Sequence, residues 1–393
     1  MRLVHLSDLH LGFRQYQRLT PGGINQREAD VAKTFRQAID KTIALRPDLV
    51  VIGGDVFHMV RPSNQAILTA YTHFSRLRQA LSDTPIVMVA GNHDLPRSSE
   101  SGSILRLFAP MGIDVVESAP RRLSYPDRDL SVLAVPYGPL PQLEPDPSAR
   151  YNVLVLHGVV DGIQPQWMMA DPAYHVVRPE DLFANEWSYR ALGHYHVYRE
   201  IGTNTYYSGS IDYSSSDPWG ELLEASEGGV PGKGFIEHDL ATGAHRFHTL
   251  DLERAVIDLP ELWAAGLTSA ELDARIRESV ESIEGGIDQK VVRLLVRHAP
   301  RHIVRELDQA PLRDYKRRAL HFHLDTRRPE ITRMHGGAAP GRRPSLAEVV
   351  REKLMSRVLE ADIDREALVE LGLRYLREAE ALDAALPAEG SAA

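Results

Sequence analysis

In the first half of the chain the apolar residues fall into short runs of strand length. Leu3-Val4-His5-Leu6, Leu49-Val50-Val51-Ile52, Ile86-Val87-Met88-Val89, Val153-Leu154-Val155-Leu156 and Tyr189-Arg190-Ala191-Leu192 are near-continuous. Runs of this kind mark strands covered on both faces. Between them the period changes: Val31, Phe35, Ile39 and Ile43 recur every four residues, as one face of a helix that Arg46-Pro47-Asp48 ends. A second helix over 63–81 places Ile67, Tyr71, Phe74 and Leu77 on one side. From Leu130 onward, short runs separated by Pro, Gly, Asp and Ser predict further strands, expected to be mostly antiparallel. The alternation predicts an α/β class fold, a two-sheet α/β sandwich over residues 1–250 with helices outside.

Residues 251–328 read differently. A strand-like Ala255-Val256-Ile257-Asp258-Leu259, a helix over 269–283 and the run Lys290-Val291-Val292-Arg293-Leu294-Leu295-Val296 predict a small α+β capping domain. Its His321 and His323, two apart on a predicted strand, share one side and are expected to be solvated. Residues 329–344, with Gly336-Gly337-Ala338-Ala339-Pro340-Gly341, read as a flexible linker. Residues 345–386 predict a helical pair, opened by a Ser345 cap with Glu348 three residues on. Its apolar positions, among them Val349, Val350, Leu354, Leu368, Leu371 and Tyr375, need another surface, because two short helices bury too little alone.

Composition narrows the chemistry. The 393 residues include no cysteine, so disulfides and thiolate metal sites are excluded and any metal must be held by His, Asp, Glu or Asn. A formal net charge of -9 excludes a generally basic grip on nucleic acid while leaving room for a local phosphate site. Neither a membrane-spanning run nor a signal-peptide pattern is present, so the protein is expected to be cytoplasmic, with no membrane partner.

Each of the five strand-like runs is followed by donor-rich residues: Asp8-Leu9-His10, Gly54-Asp55, Gly91-Asn92-His93-Asp94, His157-Gly158 and Gly193-His194-Tyr195-His196. Sites in layered α/β folds gather at strand carboxyl ends, so five loops should converge on one rim. Carboxylates, imidazoles and an amide suit divalent ions such as Mn²⁺ or Zn²⁺. Two ions need a shared ligand, and Asp55 is the natural bridge. Asp8, His10 and one histidine of 193–196 would complete one site; Asn92, His157 and the other histidine would complete the second. Such a pair activates water and clamps phosphate oxygens, which implies phosphoester hydrolysis. His93 and His58 are left for proton transfer or charge stabilisation, with Asp94 orienting His93.

In this order the strings resemble the calcineurin-like metallophosphoesterases. The continuation Gly54-Asp55-Val56-Phe57-His58, then Tyr207-Ser208-Gly209-Ser210 and Lys233-Gly234-Phe235, is similar to the SbcD-type DNA repair nucleases within that superfamily. This resemblance implies a Mn²⁺-dependent DNA nuclease, 3′–5′ exonuclease and single-strand or hairpin endonuclease, that acts as a homodimer with an SbcC-like ABC-type ATPase held by the helical pair. It implies Asp8, His10, Asp55 and His196 around one metal, and Asp55, Asn92, His157 and His194 around the other. It also makes Ile67, Leu68, Tyr71 and Phe108 candidate dimer contacts. The chain departs from the pattern after Ser210, where Ser214-Ser215-Ser216 and an acidic stretch with Glu221, Glu224 and Glu227 are expected to oppose phosphate. Arg14, Arg61 and Arg97 are the candidate substrate contacts that would offset it. The alternatives are a cyclic-nucleotide phosphodiesterase, which would not need the helical pair, and an inactive scaffold for the ATPase, against which the complete donor set argues.

Overall fold

The computed structural model describes residues 1–96, 102–163, 176–230, 232–329, 345–356 and 364–385. They fall into two units, 1–329 and 330–393. In the first unit, strands β1 (Arg2–Leu6), β2 (Leu49–Ile52), β3 (Ile86–Val89) and β4 (Asp114–Val116) run parallel in that order, and β13 (Gly234–Asp239) and β14 (His245–Thr249) add antiparallel beside β1. A second sheet contains β5 (Arg121–Tyr125), β6 (Leu130–Val135), β7 (Tyr151–His157), β10 (Tyr189–Gly193), β11 (Arg199–Gly202) and β12 (Thr205–Tyr207). A short ribbon, β8 (Val159–Val160) with β9 (Val176–Val177), lies between β7 and β10 in sequence.

The fold is the expected α/β sandwich, with one difference in topology. Strands β6, β7, β10 and β12 are parallel neighbours, and only β5 and β11 at the edges are antiparallel. Antiparallel strands are expected from the short runs separated by Pro and Gly, yet the connections from β6 to β7 and from β7 to β10 return the chain so that these strands pair in parallel. Parallel pairing puts the carboxyl ends of β1, β2 and β3 on one rim, and those of β7 and β10 on one rim of the second sheet.

Alternate residues of the buried strands serve two cores. Val4, Leu6, Val50, Ile52 and Met88 pack against Val31, Phe35, Ile39, Phe74 and Leu77 of the helices Gln26–Leu45 and Asn64–Ala80. Leu3, Val51 and Val87 point the other way, onto Val132, Val153 and Tyr189 of the second sheet. The second helix turns further than the sequence suggested. Ala66, Ala70, Phe74 and Leu77 are its buried face, whereas Leu68 and Tyr71 are 61% and 52% exposed. Alanines carry the inward stripe, and their small side chains gave it no weight in the hydrophobic pattern. Phe108 is fully buried against Phe57 and Phe74; as a core residue it is removed from the candidate dimer contacts.

The capping sheet consists of β15 (Val256–Trp263), β16 (Val291–Arg297) and β17 (His321–Thr326), all parallel, with its own core around Leu272, Ile276, Leu294 and Phe322. His321 is not solvated as expected: its ring stacks on Tyr16 at 4.2 Å, and burial lowers its pKa. In the second unit the helices Leu346–Ser356 and Arg365–Ala385 pack on each other, and Ser345 and Glu348 form the expected reciprocal cap. Of the linker read over 329–344, residues 330–344 lie outside the described residues, as do Val358 and Leu359, two further apolar positions expected in the helical pair. Among the described residues no helix is long and apolar enough to cross a membrane.

A buried charge network ties the helix Gln26–Leu45 to the segment that follows β12. Arg27 donates to Asp212 at 2.7 Å and to the Tyr213 carbonyl at 2.9 Å, Thr34 donates to the other Asp212 oxygen, and Arg254 pairs with Asp30. Removing one partner from such a network leaves a buried charge uncompensated. Arg27→Met is therefore expected to cost roughly 3–5 kcal/mol, read as a lowered denaturation midpoint in urea; an unchanged midpoint would show that the network contributes nothing.

Candidate metal centre

Backbone geometry at the strand ends is unusual. Asp8, His10, Asp55 and His194 have φ of 51°, 45°, 49° and 105°, a region that residues with a Cβ occupy sparingly and mostly at functional sites. Such turns fold the chain back as it leaves the strand, so the side chain points across the rim rather than along it. Asp8 N donates to the Gly54 carbonyl and His10 N to that of Asp55, locking the first loop to the second. Gly54, at φ 100°, and Gly193 have no room for a Cβ: one would collide with the His157 ring, the other with the Gly53 carbonyl. The sheets are thus in backbone contact beneath the site.

Donors meet in this space. Asp8, His10 and His196 form one cluster and Asp55, His157 and His194 a second, each with its ligand atoms within 4.8 Å of one another. Asn92 Oδ1 lies 3.2 Å from His157 Nε2 and 3.0 Å from His194 Nδ1, which places it with the second cluster. Asp55 Oδ2 is 3.8 Å from His10 Nε2 and 3.6 Å from His157 Nε2, so one carboxylate stands between the clusters. His58 and His93 stack on each other at 5.3 Å beside His10. A cleft of about 520 Å³ opens above them, lined also by Phe13, Arg14 and residues 214–217.

The donor set fits a pair of cations. Burial acts on both kinds of group against their charged forms: it raises the Asp8 pKa, against the pull of His157 and His196, and holds His10 well below the ordinary histidine value. Burial likewise brings His194 to about 3 and His58 to about 4. Neutral imidazoles are what a metal requires, and a cation beside Asp8 would offset its desolvation. His157 Nδ1 faces the Gly53 carbonyl at 2.7 Å, so it carries the proton and turns the Nε2 lone pair toward Asn92 and Asp55. His10 Nε2 and His196 Nε2 are 2.9 Å apart, a spacing that suits two ligands of one ion.

Three expectations change. Asp94 does not reach His93: its carboxylate accepts from the backbone N–H of Val56, Phe57 and Gly91, and burial raises its pKa to about 7. It shapes the loop that carries Asp55, while His93 Nδ1 donates to the His58 carbonyl at 2.8 Å. Two carboxylates of the acidic stretch, Glu221 and Glu224, are internally satisfied rather than free to repel phosphate, and Glu227 is exposed. Glu221 accepts from His196 and Lys233, and Glu224 from the Tyr195 hydroxyl at 2.6 Å. Burial would raise the Glu221 carboxyl, but Lys233 and His196 outweigh it and bring it down to about 2. Of the arginines, Arg14 lines the cleft and pairs with Glu28 at 2.7 Å; Arg61 is exposed and outside the cleft lining; Arg97 lies outside the described residues.

Sequence reading missed the Glu221–Lys233 pair as part of the site. Glu221 stands 25 residues from His196, in a helix that had no metal-ligand string to flag it. Lys233 was visible only as part of a Lys-Gly-Phe string.

Comparison with known proteins agrees with this geometry. The calcineurin-like phosphoesterase family matches residues 1–224. The chain is similar to the DNA double-strand break repair protein Mre11 of Methanococcus maripaludis, 38% identical over 102 residues, covering 26% of this chain and 25% of that protein. It is also similar to the Mre11 proteins of Methanopyrus kandleri, 28% over 217 residues (50% and 45% of the two chains), and Archaeoglobus fulgidus, 30% over 239 residues (54% and 50%). These matches span from a quarter to half of the relatives' length. With its five donor-bearing loops on the rims of two packed sheets, the chain belongs to the calcineurin-like phosphoesterases.

Proposed function

We propose that this protein is a DNA nuclease of double-strand-break repair that hydrolyses phosphodiesters at the cleft described above. The observation that carries the reading is the convergence of Asp8, His10, Asp55, Asn92, His157, His194 and His196 from five strand ends; His93, which groups with His10 and His58 but with no carboxylate, is assigned to proton transfer rather than to a metal. The likeness to Mre11 proteins favours DNA over the other phosphoesters that the family's shared donors could serve. Asp8, His10, Asp55 and His196 would hold one divalent ion, and Asp55, Asn92, His157 and His194 the other; mixed oxygen and imidazole donors suit Mn²⁺. Bound there, the ions would supply Lewis-acid polarisation of the phosphodiester and a nucleophilic water.

The remaining steps fall to the chain's own side chains. His93 donates its Nδ1–H to the His58 carbonyl, so Nε2 is the atom left to take up a proton and pass it to a leaving alkoxide. His58 turns Nδ1 toward His10 Nδ1 at 3.3 Å. With His10 Nε2 given to a metal, its Nδ1 proton is donated to His58, which makes His58 an orienting partner as well as a wall of the cleft. Arg14, which lines the cleft and pairs with Glu28, is the side chain we assign to a phosphate.

The helical pair of the second unit, with Leu346, Met355, Leu371 and Tyr375 exposed, is the segment we assign to an SbcC-like ABC-type ATPase. Leu68 and Tyr71, exposed side by side on the second helix, are assigned to a homodimer contact, with Ile67 half-buried beside them.

The decisive assay is Mn²⁺-dependent cleavage of end-labelled linear, hairpin and circular single-stranded DNA beside cyclic AMP and a phosphopeptide. DNA cleavage is expected, and turnover of only the small substrates would move the protein to the cyclic-nucleotide class. His93→Leu should lower DNA cleavage by roughly 10²–10⁴-fold while keeping Mn²⁺ binding by calorimetry; loss of metal binding would make His93 a ligand. Ending the chain at residue 329 should abolish copurification with the ATPase and spare cleavage of short single strands, and a retained complex would refute the role of the helices. Leu68→Glu with Tyr71→Glu should shift the sedimentation of a dimer to that of a monomer; an unchanged profile would place the contact elsewhere.

A further inference from the structure

His196 takes its orientation from a charged pair, whereas His157 takes its own from a backbone carbonyl. Glu221 Oε1 accepts from His196 Nδ1 at 3.1 Å, and Glu221 Oε2 accepts from Lys233 Nζ. Lys233 is held in turn. Its Nζ donates to the His196 carbonyl at 2.8 Å and to Ser210 Oγ at 2.9 Å, and sits 4.7 Å from the centre of the Tyr213 ring. The pair therefore grips His196 at both its ring and its backbone. Glu221 and Lys233 are only 8% and 5% exposed, and a buried ion pair is seldom more stabilising than apolar residues of the same volume. Stability alone gives no reason for it.

Its placement supplies one. With the Nδ1 proton committed to Glu221, the lone pair of His196 is on Nε2, the atom 2.9 Å from His10 Nε2 and clustered with Asp8. A carboxylate on the outer nitrogen also makes the inner one a stronger donor. We propose that Glu221, locked by Lys233, is a positioning residue for the Asp8–His10–His196 metal site, fixing the tautomer and ring plane of His196 and strengthening its hold on a divalent ion. This rests on the reading that the cleft binds two ions. The helix Pro218–Glu227 that carries Glu221 is itself seated on the capping sheet: Trp219 Nε1 donates to the Ile257 carbonyl, and Arg293 lies over the Trp219 ring. The positioning residue is thus braced from the capping side.

The asymmetry between the clusters gives the test. The full chain, stripped of metal, is titrated with Mn²⁺ by calorimetry and by the electron paramagnetic resonance signal of free Mn²⁺, as wild type, as Glu221→Gln, and as a double variant with Glu221→Met and Lys233→Met. The double variant removes both charges and strands neither. Both variants are expected to weaken one of two sites by about 10–100-fold and to leave the other unchanged. Wild-type affinity at both sites, or equal loss at both, in a variant that melts cooperatively without metal overturns the proposal. So does failure of both variants to fold, which would assign the pair to the fold. A wild type that binds no Mn²⁺ fails at the earlier step, the reading of the cleft itself.

Discussion

Desolvation of ionisable side chains at the rim where two sheets meet is the constraint on which this structure depends. Asp8, His10 and Asp55 are almost wholly buried, and burying a carboxylate or an imidazolium without compensation costs several kcal/mol. The fold meets the cost in two ways. Backbone N–H groups and carbonyls take the outward-facing atoms: His194 N on Asp8, His93 N on Asp55, the Gly53 carbonyl on His157. The inward-facing lone pairs are left converging, an arrangement that a divalent cation completes and that would otherwise be repulsive.

That convergence requires close backbone approach, which explains the local sequence. Glycine at 54 and 193 lets the strand ends touch, and left-handed turns at Asp8, His10, Asp55 and His194 aim side chains across the gap. Asp94 belongs to the same economy of hydrogen bonds. By collecting three N–H groups from the Asp55 and Asn92 loops, it holds two donor-bearing loops in one geometry, a larger service than orienting a single ring.

A second layer of contacts reaches outward. The helix Pro218–Glu227 touches the cleft through Glu221 and Glu224 and the capping sheet through Trp219, and Tyr16 stacks on His321 of the same sheet. The capping sheet, which contributes no donor to either cluster, is thereby connected to His196 through two residues of one helical turn.

Much of this was legible in the residues. Strand runs covered on both faces identified β1, β2, β3, β7 and β10, because full burial leaves no polar alternation, and donors just after those runs identified the rim. Parallel pairing of the second sheet, the alanine face of the second helix and the core position of Phe108 were not legible, since each depends on which surface packs opposite. Asp94 and Glu221 show the same limit for chemistry. The sequence by itself determined the identity of the donors and the loops that carry them, because these follow from local runs and their order. Only the tertiary structure decided which nitrogen of His157 and His196 faces inward, which carboxylates are satisfied and which buried pair stands behind His196, because those depend on partners 12 to 186 residues away that no local pattern brings together.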